Sequence, residues 1–98
     1  MDKREYNKIW QNVLEVLKIS VSSASYNTYL QHTHIIDLKE VGDRVIAEVG
    51  CESFFIKAQI EQRYSGLIQD TISKNLGKNA DISFQVKSFH QQNNHSYS

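Results

Sequence analysis

The apolar residues of this chain change period three times along 98 residues, which constrains the fold more than any other feature. From Tyr6 to Ile19, the residues Ile9, Trp10, Val13, Leu14, Val16 and Leu17 recur at helical spacing among Lys8, Gln11, Asn12, Glu15 and Lys18. That pattern predicts an amphipathic helix with a wide apolar stripe. Ser20, Ser22 and Ser23 supply a break and an N-cap, because a serine hydroxyl accepts from the free backbone N–H groups of a helix start. A second, shorter helix is expected over 22–31, with Ala24, Tyr26, Tyr29 and Leu30 as its buried or contact positions.

From Thr33 the period falls to two. Ile36 and Leu38 are expected to share one face, Gly42-Asp43 to turn the chain, and Val45, Ala47 and Val49 to alternate with Ile46 and Glu48 in a hairpin. Gly50-Cys51-Glu52-Ser53 ends the hairpin and opens a long third helix, apolar at Phe54, Phe55, Ile60, Tyr64, Ile68 and Ile72 among others. Leu76-Gly77 stops it with Lys74 in the last turn, and Ser65-Gly66 is where a bend is expected. Ile82, Phe84 and Val86 then alternate with polar neighbours in a last strand. The polar residues 89–98 read as the start of a flexible linker after a domain over 1–88. Three short strands cannot enclose a core by themselves, so the helices must pack on one face of the sheet. The expected fold is α+β, in the order α-α-β-β-α-β.

Composition narrows the function. A chain that is 40% hydrophobic and 22% charged is an ordinary globular domain. Eleven basic residues against eleven acidic ones disfavour phosphate gripping as the main task, leaving room only for a local basic patch. The lone Cys51 makes no intramolecular disulfide and no cysteine-based zinc site. Apolar runs are far too short for a membrane span, and the charged MDKREYNK start leads into no signal-like segment, so a cytoplasmic location is the default.

No catalytic constellation stands out: GxSxG, the Walker loop, GxGxxG and HExxH are all missing. Cys51 lies near an expected helix start, which favours a thiolate, but no base is identified beside it. His32 and His34 would point the same way in an extended segment, yet a stable metal site needs more ligands, and Asp37 has the wrong parity. His90 and His95 suggest only solubility. No metal or other cofactor is expected. Tyr6, Tyr26, Tyr29, Phe54 and Phe55 would suit base stacking, but their neighbours are Ser, Asn, Thr and Glu rather than Lys and Arg. Core packing or a protein interface fits them better.

Taken in order, the residues resemble a family. IWQNVLEVL, then SVSSASYNTYLQHT, then DRVIAEV, then SFFIKAQIEQRYSGLIQDTI and ISFQV, are similar to the N-terminal domain of the bacterial replication initiator DnaA over roughly residues 7–87. The resemblance implies a KH-like topology and no catalysis in this domain. It also implies weak self-association, recruitment of the replicative helicase at the chromosomal origin, and binding of initiation regulators. In that family a long linker leads on to an ATPase domain and a DNA-binding domain.

Carried over by position, Trp10 matches the tryptophan of the family's self-association face, flanked by Ile9 and Val13. Phe55 matches an aromatic implicated in helicase binding, with Phe54 beside it. Tyr26 and Tyr29 match the aromatics of the second helix, although Tyr29 replaces a usual tryptophan. Ser25 stands where some members have a glutamate tied to helicase contact. Gly50-Cys51-Glu52-Ser53 lacks a common Ala-Pro-Asn, and Gln59 replaces another frequent tryptophan.

A tryptophan on an apolar helical stripe is more often core than interface. Ile9, Val13 and Val16, however, are expected to point away from Leu14 and Leu17 and leave an exposed apolar remainder, and the resemblance tips Trp10 towards an exposed interface. Phe54 and Phe55, about 100° apart on a helix, are expected either to divide, one inward and one partly exposed, or both to fold into the contact with the second helix. The alternative function is a KH-like single-stranded nucleic-acid-binding module. A KH domain clamps the nucleic-acid backbone with a GxxG loop, which this sequence lacks, so at most weak single-stranded DNA contact is expected.

Overall fold

The computed structural model of the chain describes residues 2–87; the expected linker start at 89–98, with His90 and His95, lies outside them. Helix α1 spans Lys3–Ser20 and starts earlier than its apolar stripe, because Asp2 and Glu5 form a capping box. The Glu5 N–H donates to the Asp2 carboxylate at 3.0 Å, and the Asp2 N–H donates to Glu5 Oε1 at 3.1 Å. Two donors left free at any helix start are thereby satisfied.

The buried stripe of α1 is Trp10, Val13, Leu14 and Leu17. Val13 precedes Leu17 by one helical turn and shares its face, so both are fully buried. This corrects the expectation that Val13 points outward. Ile9 is half-buried, and Val16 and Ile19 are exposed.

Helix α2, Ser23–Thr28, is capped by Ser22, whose Oγ accepts from the Ser25 N–H at 3.1 Å. Tyr29 ends it, and a 3-10 turn over Leu30–His32 buries Leu30 completely. Thr33 Oγ1 donates to the Leu30 carbonyl at 2.7 Å and closes the turn. Ala24 is exposed, contrary to expectation.

Strands β1, Thr33–Val41, and β2, Arg44–Cys51, pair antiparallel around Gly42-Asp43, with Val41 opposite Arg44. The ladder is irregular: Ile35 pairs with Val49 and Asp37 with Glu48, leaving Ile36 as the extra residue of a bulge. One extra residue flips the parity of everything beyond it. The buried apolar pair of β1 is therefore Ile35 and Leu38, not Ile36 and Leu38.

The expected single third helix is two helices, α3 at Phe54–Arg63 and α4 at Ser65–Leu76. They meet at Tyr64 (φ −126°, ψ 0°), so the observed order is α-α-β-β-α-α-β. The break forfeits no hydrogen bond at that residue: the Tyr64 N–H reaches the Ile60 carbonyl, and the Tyr64 carbonyl accepts from Ile68, each at 2.9 Å. Gly77 closes α4 at φ 70°, the left-handed conformation that a side chain disfavours. Strand β3, Asn79–Val86, returns parallel to β2 and completes a sheet of order β1-β2-β3.

The helices cover one sheet face, where Val45, Ala47, Val49 and Ala80 join α1, Leu30, Ile60, Ile68 and Ile72 in a single core. The other face is polar. Arg44 grips Asp81 with two hydrogen bonds at 2.6 and 2.9 Å, and Gln85 donates to Glu48. The Arg44 guanidinium holds the Asp81 carboxyl below the usual carboxylate range. On the same face the imidazole of His34 lies across Gly50, its neighbour in the β1–β2 register.

A Cβ on Gly50 would stand 2.5 Å from both Cε1 and Nε2 of His34, so the ring must move before any side chain fits. Gly50→Ala is expected to cost about 1–2 kcal/mol, the scale of ordinary overpacking. Urea unfolding of Gly50→Ala, alone and with His34→Ala, checks the cause, because the penalty should largely vanish once the ring is gone.

Candidate protein-interaction site

The two most exposed aromatic side chains among the described residues, Phe54 and Phe55, stand together at the start of α3, while Val16, Ile19, Val41 and Ile46 are exposed on α1 and the hairpin. Ser53 caps α3, its Oγ accepting from the Ile56 N–H at 3.2 Å. The inward stripe of α3 runs Ile56, Ile60, Tyr64, four residues apart. Phe55 lies about 100° off that stripe and Phe54 about 200°. The geometry therefore leaves both phenyl rings outside the core, Phe54 79% and Phe55 61% exposed. The expectation that one of them packs inward is corrected.

Phe55 does not stand alone. Its ring lies 6.0 Å from that of Tyr29, tilted by 47°, and Tyr29 lies 6.3 Å from Tyr64. The Arg63 guanidinium sits over both tyrosines, 5.8 Å from the Tyr29 ring and 5.5 Å from the Tyr64 ring. Gln59 Oε1 accepts from Arg63 Nη1 at 3.5 Å. The result is an aromatic ledge: Tyr64 buried at its root, Tyr29 half-buried, Phe55 at its rim, Phe54 beyond it and a cation above.

Tyr26 is separate from this ledge in its contacts, half-buried with the Lys18 ammonium 6.0 Å from its ring. Ser25 is half-buried inside α2, where its N–H and carbonyl serve the helix. Of Ile9, Trp10 and Val13 on α1, only Ile9 offers surface, since Trp10 is 3% exposed and Val13 is fully buried. Arg63 and Tyr64 were not singled out from the sequence as site residues. Their place depends on Tyr29, far away in the chain, and no local pattern signals that meeting.

Cys51 is fully buried, and burial, with Glu61 adding to it, pushes its thiol up to about 11. The thiolate is the reactive species, so Cys51 is expected to resist a thiol reagent at pH 8 until the chain unfolds. Reagent uptake with and without denaturant checks this. His32 and His34 are half-buried, and among the described residues no group of three His, Cys, Asp or Glu side chains could hold a metal ion.

A three-stranded sheet backed on one face by helices and carrying an open aromatic ledge places the chain among small α+β domains. The chain matches the family model of the DnaA N-terminal domain over residues 7–74 and belongs to that family. It is 33% identical over 79 residues to the chromosomal replication initiator protein DnaA of Thermomicrobium roseum, covering 81% of this chain and 16% of that protein. Against the protein of the same name from Caldanaerobacter subterraneus it is 34% identical over 70 residues, 71% of this chain and 15% of that one. The Thermoanaerobacter sp. protein of that name is 32% identical over 78 residues, 80% and 17%. The chain thus spans only about a sixth of the length of the curated relatives it matches.

Proposed function

We infer that this chain is an interaction and weak self-association module of a chromosomal replication initiator, recruiting the replicative helicase and initiation regulators at the origin. The observation that carries this reading is the pair Phe54 and Phe55, left in solvent beside Tyr29 and Arg63. Full burial of a phenylalanine side chain is worth roughly 1.5–3 kcal/mol, stabilisation the isolated domain forgoes twice. Aromatic and arginine side chains are also the types that dominate binding hot spots. In this reading the ledge, with Ser25 and Tyr26 at its α2 border, takes the helicase and regulators. Ile9 takes a second copy, with Trp10 and Val13 supporting it from within.

The mechanism is tethering. Many initiator copies on one origin present many such domains, and modest affinities add through high effective concentration. The domain itself makes and breaks no bond, and it acts in the cytoplasm. Among the described residues no helix is long and apolar enough to cross a membrane. We read the topology as KH-like, but balanced charge and the lack of a GxxG loop support no more than weak single-stranded DNA contact.

Calorimetric titration of the chain with the replicative helicase of its own cell tests the reading. Saturable binding supports it, and no binding at concentrations near 1 mM removes the helicase from it. Sedimentation equilibrium of Ile9→Asp tests the α1 face separately: unchanged self-association in a folded variant would exclude that face.

A further inference from the structure

Strand β3 is an edge of the sheet, and its hydrogen bonds establish which backbone groups face outward. Ala80 turns away from β2: its N–H donates to Ser73 Oγ at 3.1 Å, and its carbonyl accepts from Gln69 Nε2 at 2.6 Å, both partners on α4. Just past the strand, the Lys87 N–H points inward to the Cys51 carbonyl at 2.8 Å. Backbone groups alternate in direction along a strand. Ile82, Phe84 and Val86 therefore aim their N–H and C=O groups outward, while Asp81, Ser83 and Gln85 serve the ladder with β2. Helix α4 satisfies the edge at Ala80, but among the described residues nothing hydrogen-bonds it from Ile82 to Val86.

That edge has a self-complementary sequence. Turned end over end about Phe84, the stretch 81–87 sets Phe84 against Phe84, Ile82 against Val86, Ser83 against Gln85 and Asp81 against Lys87. Apolar residues, half-buried on the core face, meet apolar residues; polar ones on the open face meet polar ones; the charges meet with opposite sign. The same register makes Phe84–Phe84 and Ile82–Val86 the hydrogen-bonded pairs of an antiparallel ladder, as their outward groups require. A slip of one residue would destroy the side-chain match and the hydrogen-bond match together. Edges are commonly guarded by proline or lysine; the chain has no proline, and β3 contains no lysine.

We propose that β3 is a homotypic docking edge, to which a second copy of this chain adds its own β3 antiparallel across a two-fold axis at Phe84. The two sheets then become one, with the helices of both copies on the same side. The contact is distinct from the α1 face and does not rest on the reading of that face.

Register-specific cross-linking tests it. Ser83 and Gln85 would form a non-hydrogen-bonded pair with Cα atoms about 4.5 Å apart, within disulfide reach. Ser83→Cys mixed with Gln85→Cys should give a disulfide dimer under mild oxidation, while either variant alone should not, because each new cysteine would face an unchanged residue. Cys51, fully buried, does not compete. Lys87→Asp sets like charges opposite each other at both ends and should weaken the dimer roughly threefold to tenfold, while Ile9→Asp should leave the cross-link intact. A mixture that cross-links no better than the single variants overturns the proposal. So does a Ser83→Cys variant that dimerises as readily by itself, or a cross-link lost in a folded Ile9→Asp variant.

Discussion

Trp10→Ala is expected to destabilise the domain by about 3–5 kcal/mol, the range for removing a large aromatic from a core. The indole is 3% exposed, and the stripe it belongs to, with Val13, Leu14 and Leu17, carries α1 onto the rest of the fold. A domain of this size holds roughly 5–15 kcal/mol in total, so one substitution removes a large share. Urea unfolding followed by circular dichroism measures it directly, and a loss under about 1 kcal/mol would place Trp10 outside the core. Trp10→Phe should cost much less. It retains an aromatic ring and deletes an indole N–H that has no hydrogen-bond partner among the described residues.

This bears on how self-association is tested. Loss of dimerisation in a Trp10→Ala variant does not by itself identify an interface, because the same truncation opens the core. Ile9 is the informative position on α1, because it is half-buried and its truncation leaves the stripe intact.

The contrast between Trp10 and Phe55 shows what was legible in the sequence. Period alone reveals the elements: the helical spacing of α1, the alternation of Val45, Ala47 and Val49, and that of Ile82 and Phe84 all stand as read, although Trp10 and Val13 of α1 face the core rather than an interface. Periodicity is weakest where one residue is added or one dihedral changes. The bulge at Ile36 inverted the parity of β1, and the turn at Tyr64 split one expected helix into two. The bulge leaves no composition signal. The break falls one residue before Ser65-Gly66, where a bend is expected from the sequence, and only its extent, two helices rather than one bent one, goes unsignalled. The site was half legible. Tyr29 and Phe55 were singled out, and the structure brings their rings together. Arg63 joins them because α3 brings it over the Tyr29 ring, a long-range meeting that no window of sequence contains. The direction of Phe54 and Phe55 was misjudged because the inward stripe of α3 starts at Ile56, not at the helix start.

Phe54→Ala and Phe55→Ala are expected to separate binding from stability in the opposite way to Trp10→Ala. Phe54 is 79% exposed, so its removal should change stability by no more than about 0.5 kcal/mol, like other surface substitutions. Phe55→Ala also gives up the ring contact with Tyr29, worth about 0.5–1.5 kcal/mol. Binding should respond far more. If the ledge is the docking surface, truncating both rings should cost at least 2 kcal/mol with the helicase, roughly a thirtyfold weaker Kd. Arg63→Ala should weaken it less, since its cation lies over Tyr29 and Tyr64 rather than at the rim. Titrating each variant against the helicase, with urea midpoints measured in parallel, distinguishes the outcomes. Full affinity in the doubly truncated chain would move the docking surface off α3, because no partner seated on the ledge could be indifferent to losing both of its exposed rings.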